Sequence, residues 1–227
     1  MRLGAHVDRH RGSFGMLAAM VIIVILLHPM NKLSNLISLA SAAFLALVAS
    51  SSAALDLGAP ASSTPYEPYM RPVKQVLGSV SSSKADLNKV KELMKVGRGF
   101  RYTFTEPYLA ALPSVTASTR SGDCKAKSLW LINQLGDKNV RYVIGKARST
   151  SKISHAWVMW NDGSQWWILD CTNTSKPIPA SSVSSSEYIA MYSYDSNRAY
   201  THSGAQAFAS GVASKKAAVA AEKLAAN

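Results

Sequence analysis

The stretch that most constrains this chain runs from Ile153 to Cys171. Two apolar, tryptophan-rich runs, Ile153 to Trp160 and Gln165 to Cys171, flank Asn161-Asp162-Gly163-Ser164. Asp-Gly between such runs predicts an antiparallel hairpin with a two-residue turn. With Asp162-Gly163 as that turn, Asn161 faces Ser164, and stepping outward along both strands sets His155 opposite Asp170. Directly opposed residues share one face of the sheet, with Cβ atoms about 4.5–5.5 Å apart. An imidazole N–H can then reach a carboxylate. Taken singly, His155 reads as an ordinary strand histidine and Asp170 as a strand-end turn residue. The pairing weakens both readings, because a carboxylate inside an apolar strand needs a partner.

A second stretch gives the pair something to act on. Ser121-Gly122-Asp123-Cys124 precedes an apolar stripe of Ala126, Leu129, Trp130, Ile132 and Leu135, and Gly136-Asp137 ends it. This is a helix, capped by Asp123 or Ser121, with Cys124 in its first turn. There the positive end of the helix dipole favours a thiolate. A free cysteine is often no more than a small buried hydrophobe. Cys124, following a glycine and flanked by Asp123, Lys125 and Lys127, reads instead as a residue at a polar boundary. The expected roles are Cys124 as nucleophile, His155 as general base and then acid, and Asp170 as the group that orients and stabilises the imidazolium. The Cys124 backbone N–H can donate to an oxyanion. A second donor should come from upstream, with Tyr102 or the 106–120 segment as candidates. Trp157 and Trp166 share the face of His155 and Asp170, and with Tyr102 they are the candidate walls of a substrate cleft. Cys171 follows Asp170, so it points to the other face and reads as core. A Cys124–Cys171 disulfide is the alternative for a protein that meets oxidising conditions.

The N-terminal 54 residues do not read as core. Phe14 to Leu27 is apolar but short for a membrane span, which needs about 20 residues, and His28-Pro29 ends it. From Met30 a short basic start, an apolar run from Leu33 to Val48 and small residues through Ala54 read as a secretory signal peptide. The economical expectation is that translation begins at Met30; the rivals are a two-segment membrane anchor and, less favoured, a buried helical hairpin. Residues 55–83, with Pro60, Pro65, Pro68 and Pro72, read as a linker or lead-in. The domain is then expected over residues 84–204. It opens with an amphipathic helix from Lys84 to Val96 that Gly97 or Gly99 ends. A short strand over Phe100 to Phe104 and a mostly irregular 106–120 follow. Val140 to Ala147 should be a strand, and Tyr188 to Tyr200 should pack back on the sheet. Residues 205–227 form an Ala-rich tail with little to bury.

Composition narrows the function. The chain has 227 residues with 25 basic and 13 acidic, a net charge of +12. The basic residues are scattered, which suits contact with anionic surfaces such as wall polymers or lipid head groups. Without a nucleic-acid-binding motif, nucleic acid is not an expected partner. Two cysteines without C-x-x-C or zinc spacing, and sparse acidic residues, predict no metal and no cofactor.

A helix-opening Gly122-Asp123-Cys124, a strand His155-Ala156-Trp157 and a later Leu169-Asp170, in that order, resemble the transglutaminase-like superfamily of papain-type thiol enzymes. Within it they look most like the bacterial transglutaminase-like cysteine proteases, which are often exported. The resemblance spans roughly residues 98–200. It implies an α+β, papain-like fold with the Cys helix packed on an antiparallel sheet, and attack on amide bonds through an acyl-enzyme. Cys124, His155 and Asp170 match the family triad. Many bacterial relatives carry acidic residues directly after the cysteine, whereas Lys125 and Ala126 stand here, so substrate preference does not transfer. Another papain-like group, the cell-wall hydrolases, combines Cys and His with a third polar residue that is often His, and the Asp170 pairing argues against it. The expected function is that of an exported thiol hydrolase or acyltransferase acting on peptide or isopeptide amides, with a protein or peptide partner. The alternative is a non-catalytic envelope-binding module that keeps the fold.

Overall fold

The structure is a computed structural model and describes residues 55–83, 85–207 and 209–210. The expectations for the signal peptide, the membrane anchor and most of the tail fall outside these residues. Four helices and seven strands can be delimited among the described residues of this α+β domain. In chain order they are β1 (Ala59–Ala61), α1 (Arg71–Ser79), α2 (Leu87–Arg98), α3 (Pro113–Thr119), α4 (Cys124–Leu135), β2 (Val140–Arg148), β3 (His155–Asn161), β4 (Trp166–Leu169), β5 (Ile178–Pro179), β6 (Glu187–Tyr194) and β7 (Ala199–Thr201). The strands form one sheet in the order β1-β7-β6-β2-β3-β4-β5, every neighbouring pair antiparallel. Among the described residues no helix is long and apolar enough to cross a membrane.

Helix α4 is the centre of the domain. Asp123 caps it by accepting from the Ala126 N–H at 3.1 Å, and Gly136, in the left-handed region at φ 62°, closes it. Ten of its twelve residues are buried, so the helix is enclosed all round rather than along one stripe. One side lies on the sheet against Tyr142, Ile144, Ala156, Val158 and Leu169; the others meet α1, α2 and α3. Helix α2 begins at its Asp86 cap and turns Val90, Met94 and Gly97 inward. Gly97 is there because of space: a Cβ on it would lie 2.8 Å from both Cys171 Sγ and the Trp130 ring.

The lead-in is part of this domain rather than a linker to it. β1 pairs with β7 at the sheet edge, and α1 buries Val73, Val76 and Leu77, each contributing up to about 1.5–3 kcal/mol. Of the prolines that suggest a linker, Pro60 lies within the edge strand β1 and Pro72 in the first turn of α1, while Pro113, from the expected irregular stretch, opens α3. Helix α3 replaces part of the expected irregular stretch. The expected strand at 100–104 is reduced to a single parallel bridge between Arg101 and Ser121, closed by Arg101 N–H to Arg120 C=O at 2.9 Å and Gly122 N–H to Arg101 C=O at 3.0 Å.

The β3–β4 hairpin forms, but its turn sits one residue later than expected. Val158 pairs with Leu169 and Asn161 with Trp166, and the Asp162 N–H reaches the Gln165 carbonyl at 3.2 Å. The two-residue turn is therefore Gly163-Ser164. Gly163 has φ 96° while Asp162 is not at positive φ, which suits a turn with glycine at its first central position and not one that needs both residues left-handed. The Asp162 carboxylate secures the choice by accepting from the N–H groups of Ser164 and Gln165 and from the Trp167 indole. Each residue of β3 consequently faces a residue two positions further along β4. Side chains alternate with period two, so this even shift preserves every face assignment. His155 and Asp170 are diagonal rather than directly opposed neighbours on the same side.

β2 carries the other constraint on the site. Its register against β6 slips between Ile144 and Gly145, a bulge, and a Cβ at Gly145 would come within 2.1 Å of the Ile189 carbonyl and 2.7 Å of the Trp157 ring. The missing side chain leaves room for the Trp157 indole, which stacks against His155.

Candidate active site

The start of β3 and the first turn of α4 are tied together. Ser128 Oγ donates to the Ala156 carbonyl at 3.1 Å, which brings Cys124, one turn earlier, beside His155. His155 Nε2 lies 2.8 Å from Asp170 Oδ2. Cys124 is near enough to the same ring to favour its charged form; with Nε2 committed to Asp170, Nδ1 is the nitrogen left to face the thiol. The diagonal separation along the strands is bridged by the length of the two side chains.

Asp170 is 1 % exposed and fully engaged. Oδ2 accepts from His155 Nε2, from Asn173 Nδ2 at 2.7 Å and from the Tyr188 hydroxyl at 3.1 Å; Oδ1 accepts from the N–H groups of Thr172 and Asn173 at 3.0 and 3.3 Å. Burial alone would push its carboxyl up, but the hydrogen bond and charge of His155 together with Asn173 and Tyr188 hold it below the usual carboxylate range. Burial likewise works against the charged imidazole of His155. The hydrogen bond and charge of Asp170, with the neighbouring Cys124, outweigh it and raise His155 to about 10. The ring is thus held as an imidazolium through the neutral range, between a carboxylate and a thiol.

Lys125 and Lys127 are not the solvated flanks that the sequence suggests. They are 3 % and 1 % exposed, and Cys124 itself is 7 % exposed. Lys125 Nζ lies 2.5 Å from Asp123 Oδ2 and donates to the Thr105 carbonyl at 3.0 Å, between the rings of Phe104 and Tyr108, each 5.2 Å away at the centroid. The same Oδ2 accepts from the Thr105 N–H and hydroxyl. Asp123 therefore does two things: it caps α4 and, with Lys125, clasps the 102–106 segment against it. That segment forms one wall of a cavity of about 240 Å³ lined by Tyr102, Phe104, Tyr108, Cys124, Lys125 and Ile153 among others.

Of the three candidate cleft residues, only Tyr102 lines this cavity. Burial first, then the charges of Cys124 and Asp123, push the Tyr102 hydroxyl up to about 12, so it stays protonated and able to donate. Trp157 and Trp166 lie elsewhere: His155, the first residue of β3, reaches Cys124 from the strand end, whereas further along the strands the same face is turned away from α4. Trp157 is buried, stacked under His155 with ring centroids 6.1 Å apart and meeting Tyr188 edge-on at 5.5 Å. Trp166 lies at the far end of the hairpin under the Arg141 guanidinium. Cys171 is free and buried on the helix side, its Sγ 3.8 Å from the Lys127 carbonyl, and burial pushes its thiol up to about 12. No disulfide links it to Cys124. Asn173 and Tyr188 are the supporting residues that pattern reading passes over. Asn173 has a weak signal, an Asn in the turn just after a buried Asp; Tyr188 arrives from β6 with none. Among the described residues no group of three His, Cys, Asp or Glu side chains is arranged to hold a metal.

No protein-family model matches the chain, and no curated protein matches its sequence. Among solved structures, LapG of Legionella pneumophila is similar at 17% identity and TM-score 0.44 over 57% of this chain and 76% of that one. The calcium-bound form of LapG gives 17%, 0.41, 56% and 74%. A Cytophaga hutchinsonii protein described as a candidate cysteine protease gives 19%, 0.34, 46% and 38%. Likenesses this low carry no weight for activity, and the roles proposed below rest on this chain's own geometry.

Proposed function

We propose that the chain is a thiol-dependent acyl-transfer enzyme, a transglutaminase-like cysteine peptidase, amidase or protein-glutamine acyltransferase, acting on peptide or isopeptide amides. The observation that supports it is the His155–Asp170 pair, Nε2 to Oδ2 2.8 Å, set against the first turn of the helix that begins with Cys124. The Cys124 sulfur attacks the amide carbonyl and forms the C–S bond. The oxygen that becomes negative is met by the Cys124 N–H, one of the donors a helix N-terminus leaves unused, and by the Tyr102 hydroxyl. His155 passes its proton to the leaving nitrogen as the C–N bond breaks, giving a thioester and a free amine. Water or an incoming amine then gives a proton back to His155, attacks the thioester and releases the thiolate. Asp170 keeps Nε2 protonated and aims Nδ1 at the sulfur throughout. The test is alkylation of Cys124 by iodoacetamide, with Cys171 too buried to compete. At pH 6 the wild type should react at least tenfold faster than His155→Gln, and it should release products from some member of a panel of peptides and amine acceptors. Equal alkylation rates together with no turnover overturn the proposal.

The same reading places the protein outside the cytoplasm, on the strength of the signal-like pattern from Met30 to Ala54, where the net charge of +12 suits wall-associated substrates. N-terminal sequencing of protein recovered from cells should find a start near Leu55; an intact Met1 rules out cleavage.

A further inference from the structure

Nine large apolar side chains are exposed among the described residues, and they are not scattered. Tyr102, Phe104, Leu109, Leu112 and Val115 fall within one stretch of 14 residues, and Ile153, 73 % exposed, stands two residues before His155. Three of them, Tyr102, Phe104 and Ile153, line the cavity that holds Cys124. Their exposure is built in. Thr103 N–H to Gly122 C=O at 3.3 Å, Thr103 Oγ1 to Ser121 Oγ at 2.7 Å and the Thr105–Asp123 bonds fix the backbone that carries Phe104. The cavity has no free positive charge to offer, since the Lys125 ammonium is matched by Asp123 and covered by two rings, and Glu106 stands in its lining. A clustered apolar rim held in water beside a reacting group marks a binding surface, and a wall fixed before binding spends little on ordering.

We propose, on the footing of the acyl-transfer reading, that Phe104 and Ile153 are specificity-determining residues. They line the cleft from two segments, one from 102–106 and one from the β2–β3 loop, and hold a bulky apolar side chain next to the reacting amide. The substrate is then a peptide segment whose susceptible bond is flanked by a residue such as Phe, Leu or Met, and an acidic flank is rejected.

The test uses internally quenched peptides with a Gly/Ser background in which a single Phe, Leu, Ser or Asp is moved through the positions on either side of each amide. In the wild type, kcat/KM for the best Phe or Leu peptide should exceed its Ser and Asp counterparts at least tenfold. In Phe104→Ala and in Ile153→Ala that ratio should fall below about threefold, with the change mainly in KM. Ile153 is so exposed that its replacement leaves the fold alone, which keeps the test sound if Phe104→Ala weakens the Lys125 cage. A preference of less than twofold, a preference for Asp, or a ratio unmoved in both variants overturns the proposal. Turnover of p-nitrophenyl acetate by the wild type and not by Cys124→Ala separates the two readings: if it is present, a failed preference sinks the specificity alone; if Cys124 makes no difference to it, the acyl-transfer reading and the specificity fall together.

Discussion

Replacement of Cys124 by alanine should bring turnover of every amide substrate to background, a loss of about 10⁴–10⁶-fold, while the fold persists. The thiol contributes a sulfur and little packing volume at its 7 % exposed position, so the thermal midpoint should stay within a few degrees of the wild type. His155→Gln should cost nearly as much, because the groups act as a unit and the loss of either ends the same step. A double variant should be no worse than either single one. Stopped-assay kinetics on the best peptide measures all three. A Cys124→Ala protein that keeps more than about a hundredth of wild-type activity would show that the sulfur is not the nucleophile.

Replacement of Asp170 by alanine should be the most destabilising change at the site. It removes a buried carboxylate that accepts five hydrogen bonds and leaves the His155 ring without its carboxylate partner. Breaking one side of a buried pair costs about 3–5 kcal/mol, readable as a lower urea midpoint. Asp170→Asn keeps the shape and some of the hydrogen bonds; it should retain more stability, yet lose about 10²–10⁴-fold in kcat because the imidazolium is no longer stabilised. The pH dependence carries a sign. Asp170 is depressed, so its stabilisation is present above the ordinary carboxylate value and is lost as pH falls through its lower folded value. His155 is raised to about 10, so its stabilisation is complete below about 6.5 and is lost as pH rises through about 10. Urea unfolding from pH 2 to 11 should show both limbs in the wild type. In Asp170→Asn the acid limb should shrink and the alkaline limb should move to lower pH. Unchanged limbs would mean that the pair is not what couples folding to pH.

The alternation of the hairpin made one relation robust. His155 and Asp170 share a face whether the turn is Asp162-Gly163 or Gly163-Ser164, because moving the turn by one residue moves the pairing by two. What the alternation could not supply was the exact partner. That was decided by the Asp162 carboxylate, which binds the turn's own N–H groups and the Trp167 indole and so selects the later turn. The helix start was equally legible, since Asp123 and Gly136 are local signals that act within one turn. Its surroundings were not. Lys125 and Lys127 look like solvent-facing residues until the 100–106 segment closes over them and supplies the Phe100 and Thr105 carbonyls. The prolines of 55–72 spoke for a linker because proline excludes helix interiors; they did not reveal that β7 would offer an edge for Ala59–Ala61 to join.

By itself, then, the amino-acid order determined what is local or periodic: a capped helix beginning at Cys124, an antiparallel hairpin, and a histidine and an aspartate on one of its faces. Only the tertiary structure decided which walls enclose the thiol. Trp157 and Trp166 share the parity of His155, but beyond the strand end that His155 occupies this face of the sheet turns away from α4. Tyr102, Phe104 and Ile153 come from loops whose positions are set by long-range contacts, the Asp123–Lys125 clasp for the first two and the docking of β3 on α4 for the third. Caps and alternation are written within a few residues, whereas a cleft is made where distant segments meet, and no short stretch of sequence contains that meeting.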